Sequence, residues 1–157
     1  MSLKIRSSSL RSIQTICHSN MMRNVTFYIP GDPKGKARPR VSKGHAYTPK
    51  ETVLYENWVK QCFLDQVKDW PVTDAEIDAH IVAIFSIPKS TSKKQRALMM
   101  AGKIHPTKTP DTDNIAKAIL DSLNKIAYTD DSHVVSLLVT KRYDEDARVI
   151  VSLTRKE

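Results

Sequence analysis

The run Pro110-Asp111-Thr112-Asp113-Asn114-Ile115-Ala116-Lys117 holds the residue types best suited to chemistry in this chain. Residues i and i+2 of an extended segment point to one side, so Asp111 and Asp113 are expected to aim two carboxylates at one place as the chain enters a helix. Two such anions repel unless a cation lies between them. Hard oxygen donors that leave room for water and phosphate suit Mg²⁺, with Mn²⁺ as a substitute. Lys117 falls one helical turn after Asp113 and would set a positive charge beside an anionic substrate. Downstream, Tyr128-Thr129-Asp130-Asp131-Ser132-His133 adds two more acids between that helix and the next strand. Each piece also has an ordinary reading: Asp113 as a helix N-cap, Asp111 as a turn residue, Lys117 as the partner of Asp121.

The charge distribution bears on the choice. Lys and Arg number 25 against 17 Asp and Glu in 157 residues, a formal net charge of +8. Residues 1–50 carry 10 Lys/Arg and a single acid, Asp32, whereas residues 51–157 are close to neutral with 15 against 16. The stretch Lys89 to Lys108 has six Lys/Arg and no acid, and five Asp follow between positions 111 and 131. Basic flanks around an acidic island suit a polyanion held over a cation site, although a solvated Lys-rich surface has the same composition. The candidate phosphate contacts are Lys34, Lys36, Arg38 and Arg40, with Lys43, and in the second cluster Lys93, Lys94, Arg96, Lys103 and Lys108. Aromatic residues are few near them, Tyr47 and His45 being the available stackers, so recognition by backbone and shape fits better than by base stacking.

The elements that must position these residues are legible in outline. At about 100–200 residues per domain, the length implies one domain. An apolar share of 40% and a charged share of 27% are those of a globular protein. The longest apolar run, Ile81–Phe85, is far short of the roughly 20 residues that span a membrane. Cys17 and Cys62 make neither a disulfide framework nor a zinc cage, which points to a reducing, cytoplasmic compartment. Residues 1–23 read as an extension ahead of a domain at 24–157. That extension is rich in Ser and Arg, opens with a Met1-Ser2-Leu3 that looks like a cloning scar, and contains a Met21-Met22 pair that is a candidate start. Its composition also resembles a mitochondrial transit peptide, and it lacks the apolar segment of a secretory signal.

Val25–Ile29 reads as a strand stopped by Pro30-Gly31, and Gly31–Arg40 as a loop. Val41–Thr48 reads as a short strand or hairpin arm. A helix is expected from Pro49 to Lys68, with Leu54, Trp58, Val59, Cys62, Phe63 and Val67 as its core stripe. Ile77 to Ile87 alternates as a strand, with Asp78, His80 and Ser86 on the other face. Ser90–Ala101 reads as a capped helix ending at Gly102, and 114–126 as a helix with Ile115, Ile119, Leu123 and Ile126 on one face. Strands at His133–Tyr143 and Ala147–Leu153 close the chain, joined by Asp144-Glu145-Asp146 as a solvated turn. The expected class is α/β (α+β), one domain with a mixed sheet of about four or five strands and helices packed against it.

Several of these motifs together resemble the RusA family of Holliday junction resolvases. They are Asp-x-Asp-Asn at 111–114, Lys117, the Asp121-Ser122-Leu123-Asn124 stretch and Asp130-Asp131 before a Val-rich strand. The resemblance continues in Lys34-Gly35-Lys36-Ala37-Arg38-Pro39-Arg40, Tyr47-Thr48-Pro49 and Ser92-Lys93-Lys94. It runs from about Asn24 to the C-terminus and is most specific over Pro110–Val134. It implies a RusA-like fold and a small homodimeric endodeoxyribonuclease of recombination and repair. Such an enzyme nicks two strands of a four-way DNA junction symmetrically and needs Mg²⁺ or Mn²⁺. It implies catalytic roles for Asp111, Asp113, Asp131 and Lys117. The three acids would be metal ligands, with Asp130 the alternative to Asp131. The family commonly has Gln where this chain has His133, which is read as a strand start or a DNA contact. Members are often encoded by prophages of Gram-positive bacteria. The other functions considered are a broader structure-specific nuclease acting on flaps or branched products, and a non-catalytic accessory protein that binds branched DNA.

Overall fold

Apolar residues recur at every second position from 25 to 29 and from 77 to 87, and this period commits both segments to a sheet with one covered face. The computed structural model describes residues 23–156. The expected extension over residues 1–23 therefore lies, apart from Arg23, outside the described residues. In chain order the elements are β1 (Asn24–Pro30), β2 (Arg40–Ser42), β3 (His45–Tyr47), α1 (Lys50–Gln66), β4 (Ile77–Ser86), α2 (Lys93–Met100), α3 (Thr112–Leu123), a single 3-10 turn (Asp131–His133), β5 (Val134–Asp144) and β6 (Arg148–Arg155).

Four strands form one sheet in the order β1-β6-β4-β5, and β2 and β3 pair as a separate hairpin. β6 runs antiparallel to both of its neighbours, while β5 lies parallel to β4. A parallel pair needs a long crossover, and the segment carrying α2 and α3 supplies it. The architecture is the expected α+β class, with a mixed sheet of four strands and helices packed on it.

One sheet face is the core. Phe27, Ile29, Ile81, Ala83, Val149, Val151 and Leu153 are fully buried there, beneath Val59 of α1 and Ile115, Ile119 and Leu123 of α3. The rings of Phe27 and Phe63 meet edge to face at 5.2 Å. α1 turns a different stripe inward from the one expected: Thr52, Tyr55, Val59, Cys62 and Phe63 are buried, whereas Leu54 and Trp58 are 68% and 45% exposed. Two apolar rows run side by side on this helix, and the sheet selects the row through Tyr55 and Val59. Trp58 instead donates its indole N–H to Pro30 O at 3.2 Å.

α2 lies over the opposite face, where Met99 and Met100 line a cavity of about 350 Å³ with Val82, Ile84, Arg142 and Ile150. The Asp144-Glu145-Asp146 turn is more than a solvated link. Asp144 accepts from Glu145 N and from Arg148 Nη2, both at 2.7 Å, and closes a connection that skips over β4 to reach β6.

The exit of α3 is tightly built. Lys125 takes a positive φ of 65°, and its N–H donates to Tyr128 O at 2.7 Å. Tyr128 is fully buried, with its hydroxyl donating to Leu120 O at 2.8 Å. Burial first, and then the nearby Asp131, Asp121 and Asp130, push this phenol well above its ordinary pKa, so it stays a proton donor. Trp70 Nε1 donates to Ala127 O at 2.9 Å from the other side. The turn folds the chain back so that Asp131 returns beside α3.

Two substitutions should separate packing from hydrogen bonding here. Ile119→Ala is expected to lower the unfolding free energy by about 2–5 kcal/mol through the cavity it leaves. Tyr128→Phe should cost about 0.5–1.5 kcal/mol, the net worth of one hydrogen bond. Urea denaturation with unchanged slopes checks both values and their order.

Candidate active site

α3 starts between an extended residue and a helical one. Asp111 occupies the cap position with φ −73° and ψ 157°, makes no side-chain cap bond, and is followed by Asp113 inside the first turn. The extended i, i+2 geometry expected for the pair is therefore absent, and so is a capping role for Asp113. Both side chains are exposed and stand where the helix macrodipole favours negative charge.

The segment leading into them is anchored. Thr109–Pro110 is a cis peptide bond. Lys141 Nζ donates to Lys108 O and, at 3.0 Å, to Pro110 O. The ammonium groups of Lys108 and Lys141 lie 5.2 and 5.3 Å from the centre of the Phe85 ring. His105 Nδ1 sits 3.2 Å from Lys141 O, where the loop passes β5.

The basic loop docks on the start of this helix. Lys36 N–H donates to Asn114 O at 2.9 Å. A Cβ on Gly35 would fall 2.8 Å from Pro110 Cβ and 3.0 Å from Asn114 Cβ, so only glycine fits at this approach. The result is a groove of about 380 Å³ lined by Pro33, Lys34, Ala37, Arg40, Thr109 and Pro110 among others. Two cations of the loop thus share a groove with the residue that precedes Asp111.

Asp113, Lys117 and Asp121 follow one another at i, i+4 and i+8 and form one stripe of alternating charge on α3. Asp121 does not pair with Lys117. Its Oδ2 lies 2.5 Å from Lys36 Nζ, which is also 2.9 Å from Glu56 Oε1 of α1. Burial alone would lower the Lys36 pKa, but the Asp121 and Glu56 carboxylates outweigh it and hold the ammonium charged. Asp131 lies beside Asp121, and its pKa is raised by burial first, then by Asp121 and Asp130.

Asp130 has a different role: it accepts from Ser132 N at 3.0 Å and caps the 3-10 turn, which lowers its pKa. Asp121 stands eight residues, about 12 Å, along the helix from Asp113, with Asp131 beside it. Among the described residues, no three His, Cys, Asp or Glu side chains are grouped to hold a metal ion.

The remaining basic residues separate by place. Arg38, Lys43, Lys93, Lys94 and Lys103 are exposed. Arg96 pairs with Glu145, and Lys108 covers Phe85. Lys93 and Lys94 belong to α2, across the sheet from α3. His133 closes the 3-10 turn, with Nε2 3.8 Å from Asp74 Oδ1. Three residues of this region are not assigned to the site by sequence reasoning, which names Asp121 only as an ordinary partner of Lys117 and as part of a family motif. Asp121 carries a signal as the third member of the helix stripe. Lys141 carries one as a charge at an inward position between Val139 and Tyr143. Glu56 carries none, because it becomes notable only when the loop arrives.

Comparison with known proteins identifies the family of the chain. A family model described as Endodeoxyribonuclease RusA matches residues 30–154. A protein of Bacillus subtilis (strain 168), described as uncharacterized protein YqaN, is 32% identical over 135 residues, covering 82% of this chain and 94% of the relative. The motifs at 34–40 and 110–134 lie inside the matched span, and the chain belongs to the RusA family of endodeoxyribonucleases.

Proposed function

We propose that this protein resolves four-way DNA junctions by paired, symmetric nicks, using a divalent cation and acting as a homodimer. The observation that carries the reading is the docking of the basic loop on the start of α3, which puts Lys34 and Arg40 in one groove with Pro110, next to Asp111. An acidic centre repels DNA unless cations beside it hold the phosphates, and this loop supplies them. In this reading Arg38 and Lys43 extend the same phosphate track, and Lys93, Lys94 and Lys103 hold a more distant part of a branched substrate. Arg96 and Lys108 contribute from positions where each already has a protein partner.

The donors fit Mg²⁺ in kind. Asp111 and Asp113 are exposed hard oxygen ligands. Mg²⁺ is commonly held by one or two carboxylates, with water and substrate phosphate completing its shell. Asp131 is the further acid of the set. The chemistry such an ion supplies when bound is polarisation of a phosphate oxygen and activation of a water. Lys117, exposed one turn above Asp113, is positioned to offset negative charge that builds on the phosphate in the transition state, as a point charge.

A second copy is expected at β5. Among the described residues no strand pairs with its outer edge. The uncharged run Val134–Thr140 leaves Val135, Leu137 and Leu138 50%, 45% and 55% exposed. A long apolar edge invites pairing, and a two-fold axis through it would relate two sites as symmetric cuts require.

Three measurements check this reading. A labelled four-way junction, a flap and a linear duplex are incubated with Mg²⁺, Mn²⁺ or EDTA. Paired nicks are expected on the junction alone, abolished by EDTA and reduced at least about a hundredfold by Asp113→Asn. Cutting of flaps as well would indicate a broader nuclease, and binding without cutting an accessory protein. Replacing Lys34 and Arg40 together by Met should lower the slope of log affinity against log salt by about 0.9 for each phosphate that the loop no longer neutralises. Leu138→Lys should shift a sedimenting dimer to monomer and turn paired nicks into single ones.

A further inference from the structure

Lys36 lies in the basic loop, yet its ammonium points away from the groove that Lys34 and Arg40 line. It reaches Asp121 of α3 at 2.5 Å and Glu56 of α1 at 2.9 Å. The three side chains keep only 25%, 21% and 19% of their surface for Lys36, Asp121 and Glu56 respectively. A DNA phosphate approaching this ammonium would have to displace two carboxylates that already neutralise it. Asp121 in turn stands beside the Asp131 carboxyl, where the 3-10 turn packs on α3. The backbone beside Lys36 is held as well, through its N–H to Asn114 O at 2.9 Å.

We propose that Lys36 is a positioning residue: a resident cation that joins the loop, α1 and α3, holds the Asp121 carboxylate in place and through it orients Asp131. It is not a phosphate contact. This rests on the reading of Asp131 as one of the acids that serve the cation. The role explains why one Lys of the loop is turned inward while its neighbours face solvent. It also explains why Glu56, remote in sequence from every other acid of the site, lies in the same cluster.

Two opposed expectations separate positioning from simple charge. Removing a cation near an acid cluster strengthens metal binding if only Coulomb attraction acts. Removing a group that orients a ligand weakens it, typically about 10–100-fold. Lys36→Met is therefore compared with wild type and with Lys34→Met. Free Mn²⁺ is counted by electron paramagnetic resonance without DNA, and the salt dependence of junction affinity is measured alongside.

Lys36→Met is expected to weaken Mn²⁺ binding about 10–100-fold and to leave the salt slope unchanged. Lys34→Met should do the reverse, lowering the slope by about 0.9 with Mn²⁺ affinity intact or slightly tighter. Lys36→Arg should recover most of the Mn²⁺ affinity. Lys36→Gln, a milder variant that keeps a donor, serves if Lys36→Met does not fold, and it should weaken Mn²⁺ binding in the same direction. A lowered salt slope with unchanged or tighter Mn²⁺ binding in the Lys36 variants would overturn the assignment. Failure of the nuclease reading would show instead in the wild type, which would then neither bind Mn²⁺ nor cut the junction.

Discussion

Gly35 passes within van der Waals reach of Pro110 and Asn114, and the site depends on that close approach. With the Lys36 N–H bound to Asn114 O, it brings a loop from the N-terminal end of the domain against a helix near its C-terminal half. Pro110 is not free to yield, because Lys141 grips its carbonyl from β5. The approach is therefore set from both sides, by a residue without a side chain on one and by a clamped backbone on the other. A shift of either would separate the basic groove from the acids at the start of α3.

Charge is arranged around that contact by distance. Asp111 and Asp113 stand at the exposed start of α3, where the helix dipole offsets part of their repulsion. Two turns further in, where water is scarcer, Asp121 needs a partner, and Lys36 supplies it. Asp131 then meets a carboxylate whose charge Lys36 partly offsets, and burial with the neighbouring acids still raises its pKa. A partly buried ion pair of this kind adds little net stability, since desolvation offsets much of the attraction. Its effect is to define where the groups lie.

The outline of the fold is readable because the signals are local. The alternation from Ile77 to Ile87, the cap at Ser92 and the apolar face of Ile115, Ile119 and Leu123 depend on periods of two and 3.6 residues along the chain. Sequence and structure part where two local answers are equally good. On α1, the row through Leu54 and Trp58 is as apolar as the row through Tyr55 and Val59, and only the approach of the sheet distinguishes them. At α3, spacing alone makes Asp111 and Asp113 extended neighbours, because a helix start is uncertain by a residue or two.

The sequence by itself determined the chemical inventory: paired acids, a Lys one turn on, a second acid pair before a strand, a basic loop, and the family these motifs mark. All of that is carried by residue type and short spacing. Only the tertiary structure decided which charges meet. Lys36, Glu56, Asp121 and Asp131 lie on four different segments, and no period along the chain relates them. Their meeting follows from the crossover that returns β5 alongside β4, the buried Tyr128 turn that folds Asp131 back, and the glycine that admits the loop. Electrostatic partnership is set by distances across the core, and a linear pattern does not contain those distances.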